Sequence, residues 1–144
     1  MTSDTKYTPE DIKRFIINKT GCEDEEVQPD TDIDTDLGCT GNDFDELINE
    51  YAVKFNVNMD GYLWYFHTYE EGHSNSIGRM FFKAPTERIQ HIAVTPALLL
   101  ESANAGKWRL IYPGHRLPKQ RYDILVNQVV LILFILFIIY KCTS

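Results

Sequence analysis

The sequence predicts a mainly α-helical domain followed by one C-terminal membrane helix, and three observations lead to this prediction. In three segments, a residue suited to cap a helix precedes apolar residues at helical spacing. Near the C-terminus, Val129–Tyr140 is a run of twelve apolar residues without a charge or a helix breaker. Before that run, the acidic chain becomes basic, as expected on the cytoplasmic side of a membrane helix.

The first helix is predicted to begin after Thr8, which is a favourable N-cap residue. Pro9 suits the first helical position, and Asp11 is placed to complete a capping box with Thr8. Gly21 can end the helix in the left-handed conformation that glycine adopts readily. The predicted buried stripe consists of Ile12, Phe15 and Ile16.

A second amphipathic helix is predicted to begin between Gly41 and Asp43 and to end near Phe55. Apolar residues recur there at i, i+3, i+4, i+7 and i+11, the spacing of one helix face. That face consists of Phe44, Leu47, Ile48, Tyr51 and Phe55. Four acidic residues crowd the first half of the helix: Asp43, Asp45, Glu46 and Glu50. Their charge complements the positive end of the helix dipole, and it makes the outer face strongly acidic.

The segment between residues 57 and 91 gives weaker signals. Five aromatic residues within eight positions predict a short helix or strand that supplies core. Met80–Phe82 and Ile89–Val94 have the composition of strands, so a short β hairpin is an option for this part of the chain. The pattern then becomes clear again, because Thr95 can cap a last helix of the domain and Gly106 can end it.

The apolar tail is predicted to cross a membrane. Residues 124–140 form a stretch of 17 residues that is interrupted only by Asn127 and Gln128. As a helix this stretch spans roughly 25 Å, near the lower limit for crossing the hydrocarbon core of a bilayer. A helix without a polar face does not suit the surface of a small soluble domain. The alternative is a buried helix or strand in a soluble protein whose tail docks on its own domain.

The charge distribution predicts a single-pass protein whose N-terminal domain lies in the cytoplasm. Residues 1–106 hold 8 Lys and Arg against 20 Asp and Glu, a net charge of −12. Residues 107–123 hold five basic residues against one acidic residue, a net charge of +4, and only Lys141 follows the apolar run. This bias is typical of a tail anchor with its domain on the cytoplasmic side. The acidity of the domain argues against nucleic acid as a partner.

The sequence shows no pattern for catalysis or metal binding. The four histidines are scattered: His67, His73, His91 and His115. The three cysteines lack metal-ligand spacing and are expected to be free thiols: Cys22, Cys39 and Cys142. The alternating Asp30, Asp32, Asp34 and Asp36 do not fit an EF-hand loop, which needs Gly at its sixth and Glu at its twelfth position. We therefore expect no enzyme activity, no metal site and no cofactor.

One stretch of the sequence resembles the signature of acyl carrier proteins. Asp36-Leu37-Gly38 precedes the second helix, which carries Glu46-Leu47 and ends at Phe55, and these residues match the signature without a gap. The helices predicted at either end of residues 6–108 also resemble the first and last helices of the carrier fold. The resemblance therefore implies an acyl-carrier-like helical bundle with an enlarged middle segment.

A closer resemblance is to a family of uncharacterised bacterial proteins described as acyl-carrier-like. Three stretches carry it: Gly38–Asp43, Trp64–Phe66 and Ala105–Trp108. The family has no established activity, so this resemblance implies a fold and not a function. It also implies that the membrane in question is the bacterial inner membrane.

The position that carries the phosphopantetheine arm in acyl carriers differs in this chain. Gly41 stands where carriers have the modified serine, and Thr40 replaces the preceding aspartate. Glycine has no side-chain oxygen to attack the pyrophosphate of coenzyme A, so a carrier-like fold without carrier chemistry is expected. Thr40 and Gly41 are predicted to form the turn and cap that open the second helix. The alternative is an atypical acyl or phosphopantetheine carrier modified at Thr40 or Cys39.

Four consecutive segments and a binding function are thus predicted. They are an acyl-carrier-like domain over residues 6–108, a basic juxtamembrane linker over 109–123, a transmembrane helix over 124–140 and a short tail over 141–144. Carriers present their acidic second helix to basic partners, so the resemblance implies that this helix binds a protein with a basic surface. The predicted partner-binding residues are Asp43, Asp45, Glu46 and Glu50. The lipid bilayer is the second predicted partner, through the C-terminal helix.

Overall fold

The computed structural model of the chain describes residues 5–70 and 75–144. These residues contain five α-helices: α1 (Pro9–Thr20), α2 (Gly41–Lys54), α3 (Ile77–Phe81), α4 (Pro96–Ala105) and α5 (Tyr122–Thr143). Short 3₁₀ turns lie at Asp24–Glu26, Trp64–Phe66 and Pro85–Glu87. The described residues form no β-strand, and an isolated β-bridge pairs Asn58 with Lys107. The prediction of a mainly helical chain with one C-terminal apolar helix is therefore confirmed.

The chain divides into two compact units. Unit 1 comprises Met1–Tyr69 and His91–Gly114, and unit 2 comprises Glu70–Gln90 and His115–Ser144. Each unit is therefore assembled from two stretches that are separated in the sequence. The boundaries drawn from the sequence, with a domain over 6–108 and a linker over 109–123, stay a prediction.

The first and last helices of unit 1 begin and end as the sequence predicts. In α1 the Thr8 N–H donates to Asp11 Oδ2 at 2.8 Å, and the Asp11 N–H donates to Thr8 Oγ1 at 3.3 Å. This is a complete capping box. In α4 the Leu98 N–H donates to Thr95 Oγ1 at 3.2 Å. A left-handed glycine ends each helix, with φ of 71° after α1 and 69° after α4.

The hydrophobic core of unit 1 contains the predicted faces of its helices. The buried side chains of α1 are Ile12, Phe15 and Ile16, and those of α2 and its C-cap are Phe44, Leu47, Ile48, Tyr51 and Phe55. Val27 and Ile33 add to this core, as does Leu99 from α4. Val27 and Ile33 belong to the connection between α1 and α2, residues 21–40, which we call the acidic loop. Burial of a large aliphatic or aromatic side chain contributes roughly 1.5–3 kcal/mol, so burial of these faces strongly favours folding of unit 1.

No β hairpin forms in the middle segment within the described residues, and this corrects the option that the sequence left open. Trp64–Phe66 is a 3₁₀ turn, and most of Met80–Phe82 belongs to the short helix α3. The Ser76 hydroxyl accepts a backbone N–H from the first turn of α3 at 3.4 Å. This cap starts a helical turn where the apolar run suggested a strand.

Aromatic rings pack around His67, which is fully buried in unit 1: the Tyr62 ring stacks on it with centroids 5.4 Å apart, and the Trp108 and Tyr112 rings lie at 5.9 and 5.5 Å. The His67 Nδ1–H donates to the Ile92 carbonyl at 2.7 Å, so Nε2 accepts from the Tyr112 hydroxyl at 2.7 Å. Burial lowers the pKa of His67 to about 4, and the ring is neutral at pH 7. The Ile92 N–H also donates to the Phe66 carbonyl at 2.7 Å. These bonds join the two stretches of unit 1.

Unit 2 is dominated by α5, which has 22 residues and a mean hydropathy of 2.5 over its most apolar window. By length and composition, α5 is able to cross a membrane, and it contains the whole predicted span over residues 124–140. Its length is about 33 Å at 1.5 Å per residue, which matches the hydrocarbon thickness of a bilayer. Only 6% of the most apolar 18-residue stretch of α5 is buried within the protein, whereas the core helix of a soluble domain is mostly buried.

Candidate functional site

The acidic residues of α2 lie on the side of the helix that faces away from the core. Asp43, Asp45 and Glu46 are exposed, whereas the intervening Phe44 and the following Leu47 are buried. These three carboxylates lie within one turn of α2, outside its buried stripe, and we call this surface the acidic face. Its position at the N-terminal end of α2 is favourable, because the helix dipole stabilises negative charge there.

The fourth predicted residue, Glu50, is in a different situation. Its carboxylate forms an ion pair with the Lys19 ammonium at the end of α1, and both side chains are partly exposed. The hydrogen bond from Lys19 lowers the pKa of Glu50, while desolvation raises the pKa of Asp45. Glu50 thus links α2 to α1, and the three other carboxylates carry the uncompensated charge of this surface.

The start of α2 depends on Gly41 and on a residue that is distant in the sequence. Gly41 has a φ of 57°, in the left-handed region that favours glycine, so its predicted role in a turn agrees with the backbone. Thr40 occupies the N-cap position, but its side chain makes no capping hydrogen bond. Instead, the buried Gly41 N–H donates to Thr68 Oγ1 at 2.8 Å. Thr68 therefore supplies the capping oxygen that the sequence assigned to Thr40.

A buried aspartate lies next to this cap. Asp34 is 1% exposed and is hydrogen bonded to the Thr68 side chain, while its Oδ1 has no hydrogen-bond partner among the described residues. Desolvation raises the pKa of Asp34 above its ordinary value, although Thr68 and the nearby His91 act in the opposite direction. Asp32 is also buried and pairs with His91 Nε2 at 2.6 Å. Two members of the acidic loop are therefore structural.

A cleft of about 300 Å³ opens beside the acidic face. The residues that line it come from α1, from the loop before α2 and from α2 itself: Lys19, Thr20, Leu37, Gly38, Cys39, Asp43, Glu46 and Leu47. Cys39 is buried, and burial raises the pKa of its thiol to about 11, with the charges of Asp43 and Asp34 adding to the effect. The thiol is therefore protonated at neutral pH and is a poor nucleophile.

The other candidates for chemistry are scattered or structural. Within residues 5–70 and 75–144, no three His, Cys, Asp or Glu side chains are grouped so that they could hold a metal ion. His67 is neutral and engaged on both ring nitrogens, and His73 lies outside the described residues. Cys22, Cys39 and Cys142 are free cysteines.

Fold and site together define a small helical protein with an acidic helix surface and a C-terminal apolar helix of membrane-spanning length. The chain belongs to the family described as "Protein of unknown function (DUF1493)", which matches residues 9–112. The matched residues include α1 to α4 and end before α5. Comparisons with curated proteins and with solved structures found no match.

Proposed function

We propose that this chain is a non-enzymatic interaction protein that binds a basic protein surface through the acidic face of α2. The single observation that carries the proposal is the exposure of Asp43, Asp45 and Glu46 on one turn of a helix whose opposite side is fully buried. Complementary charge of this kind steers association and selects partners. Glu50 adds a further carboxylate at the edge of this surface, where its ion pair with Lys19 neutralises part of the negative charge.

The proposal includes an acyl-carrier-like origin for the domain. It is supported by the Asp36-Leu37-Gly38 motif, by the acidic second helix and by the resemblance to carriers at the ends of the domain. Gly41 at the serine position argues against carriage of a phosphopantetheine arm, since it offers no oxygen for attachment. The carrier surface would then be retained for protein binding alone.

The proposal also places α5 in the bacterial inner membrane, with the N-terminal domain in the cytoplasm. The exposed Arg116 and Lys119 precede α5, and a single Lys141 follows it, which favours this orientation. The full-length protein should pellet with membranes and resist extraction by carbonate or by high salt. Release by salt alone would mean that the protein adheres electrostatically and that α5 is not inserted.

A second candidate function is an atypical carrier modified at Thr40 or Cys39. It is favoured by the Thr40 side chain, which makes no capping hydrogen bond, and by the position of Cys39 in the cleft. Against it stands the raised pKa of the Cys39 thiol. Incubation with coenzyme A and a broad phosphopantetheinyl transferase, followed by intact mass measurement, separates the two functions, because only a carrier gains the mass of the arm.

The acidic face is tested by charge reversal in the full-length protein. Asp43→Lys with Glu46→Lys reverses two exposed charges, replaces no buried residue and retains both Glu50 and Lys19. We expect this variant to lose partners that tagged wild type captures from detergent-solubilised membranes, and wild-type capture should weaken as salt is raised. Glu25→Lys with Asp30→Lys makes the same charge change at exposed loop positions and is the matched control. Equal capture by both double variants would contradict the proposed function.

A further inference from the structure

Unit 2 exposes a compact set of large apolar side chains apart from those of α5. Met80 and Phe81 are 80% and 72% exposed, and Ile77 and Phe82 are 48% and 39% exposed. These four side chains lie within six residues, on α3 and directly after it. We call Ile77, Met80, Phe81 and Phe82 the α3 patch. Contiguous exposed apolar surface of this kind marks a site of interaction with a protein or with a membrane.

The α3 patch is held against the first turns of α5. The Gly78 N–H donates to Asn127 Oδ1 at 2.8 Å, and a Cβ atom on residue 78 would lie only 1.8 Å from the Asp123 carbonyl oxygen. The absence of a side chain at Gly78 therefore allows direct backbone contact between the two helices. The Phe82 ring also packs on the Tyr122 ring, with centroids 5.5 Å apart. The patch thus lies level with residues 122–127, where the apolar part of α5 begins.

Four charged groups beside the patch are paired within unit 2, namely Glu70, Arg79, Arg121 and Asp123. Arg121 donates two hydrogen bonds to Glu70, at 2.7 and 2.6 Å, and two to Asp123, at 2.9 and 2.7 Å. Arg79 lies on the protected side of α3, with its side chain 9% exposed, and it faces Glu70 and Asp123. Such pairing lowers the cost of placing these charges at the edge of a low-dielectric phase. The outer side of α3 is left apolar.

We propose that the α3 patch inserts into the boundary between lipid headgroups and acyl chains beside α5, as a second contact with the bilayer. The proposal rests on the membrane tether proposed above. Apolar side chains that flank a membrane helix are buried favourably among the lipid headgroups and the start of the acyl chains, and aromatic residues are enriched at that depth. The partner of this surface is therefore the same bilayer that surrounds α5, because the backbone contact at Gly78 fixes α3 at the entry point of that helix.

The test uses the full-length chain in vesicles of three parts phosphatidylcholine to one part phosphatidylglycerol. Cys22→Ser and Cys142→Ser remove the accessible thiols, and the buried Cys39 is retained because its protonated thiol resists labelling. An environment-sensitive fluorophore is then attached at Met80→Cys. Val53→Cys is the matched control, since Val53 is an apolar α2 residue of unit 1 that is 84% exposed. Leu133→Cys provides a reference within α5.

The label at position 80 should emit at shorter wavelength than the label at 53, and it should be quenched by a spin label near the lipid headgroup. Aqueous iodide should quench the label at 53 more strongly, and a deep spin label should quench the label at 133. Phe81→Cys repeats the measurement should the Met80 variant fold poorly. If the labels at 80 and 53 respond alike while the label at 133 is quenched by lipid, this proposal is wrong and the tether stands. If the spin labels in the lipid do not quench the label at 133, the proposed insertion of α5 into the membrane is wrong as well.

Discussion

Replacement of Thr68 by valine should weaken unit 1 far more than the loss of one surface hydroxyl would. Thr68 is 3% exposed, and its Oγ1 both accepts from the buried Gly41 N–H and bonds to Asp34. Valine has a similar shape but leaves a buried N–H without a partner, which costs about 1–3 kcal/mol. A buried carboxylate loses a bond worth about 1.5–3 kcal/mol in addition. We expect a combined loss of about 3 kcal/mol at pH 7.

Unfolding of unit 1 can be followed separately from α5. Both tryptophans of the chain, Trp64 and Trp108, belong to unit 1, so their fluorescence in detergent-solubilised protein reports this unit. For a unit of this size, about 3 kcal/mol corresponds to a fall in Tm of about 12–24 °C. Thr35→Val is the matched control, because the exposed Thr35 hydroxyl donates to Asp32 Oδ2 at 2.9 Å. Its loss should cost about 1.5 kcal/mol, the lower end for a hydrogen bond to a charged group, because it leaves no buried N–H without a partner and Asp32 keeps its pairing with His91.

The pH dependence of this difference follows from Asp34. Its pKa is raised in the folded protein, so ionisation of Asp34 costs stability above that pKa, and the cost disappears as the carboxyl becomes protonated. Thr68 stabilises the ionised form of Asp34. The substitution of Thr68 should therefore lower the free energy of unfolding most at neutral pH and progressively less as the pH falls. A Thr68→Val variant that unfolds with the same Tm as Thr35→Val would refute the argument. So would a difference that grows as the pH falls.

The remaining predictions concern two glycines and two titratable groups. Gly41→Ser should destabilise unit 1 by about 1–2 kcal/mol, because a serine must adopt the left-handed φ of 57°; fluorescence-detected unfolding checks this. Gly78→Ala should separate α3 from α5, since its Cβ would meet the Asp123 carbonyl at 1.8 Å, and amide hydrogen exchange in α3 should accelerate. Iodoacetamide at pH 7.5 should alkylate Cys39 much more slowly than the exposed cysteine near the C-terminus, as measured by peptide mass; equal rates would contradict its burial. The pKa of His67 is about 4 in the folded protein and 6.5 for a free histidine, so protonation of the unfolded chain should lower the free energy of unfolding by about 3 kcal/mol between pH 6.5 and 4. His67→Gln should remove this part of the pH dependence of unfolding.

The helices that could be predicted from the sequence are those whose signals are local. Thr8 and Asp11 complete their capping box within four residues, and Thr95 caps α4 by accepting the Leu98 N–H three residues later. The alternation of buried and charged residues along α2 likewise follows from the period of the helix itself. Each of these signals operates within one or two turns, so a single sequence contains all the information needed.

The parts that could not be predicted depend on contacts between distant residues. Thr68 lies 27 residues after Gly41, and His91 lies 59 residues after Asp32, so neither pairing leaves a local pattern. The burial of Asp34 could not be predicted, because alternating aspartates give no sign of which side chain is buried. For α3 a usable signal was present: Ser76 is a good N-cap residue, and it argued for a helical turn rather than a strand.

The discontinuity of unit 1 offers a practical route to a smaller protein. The chain leaves unit 1 after Tyr69 and returns at His91, and a hydrogen bond of 2.7 Å joins the nearby Phe66 carbonyl and Ile92 N–H. Residues 70–90 are therefore an insertion between the two stretches of unit 1. A flexible linker of two to six residues, a length typical of connections in compact domains, could replace them. Deletion of α5 alone would instead remove the contacts of α3 with α5 and leave the apolar α3 patch exposed, which favours aggregation. A fragment that joins residues 5–69 to residues 91–114 would omit both elements and would retain the acidic face, which makes it suitable for partner titrations by nuclear magnetic resonance.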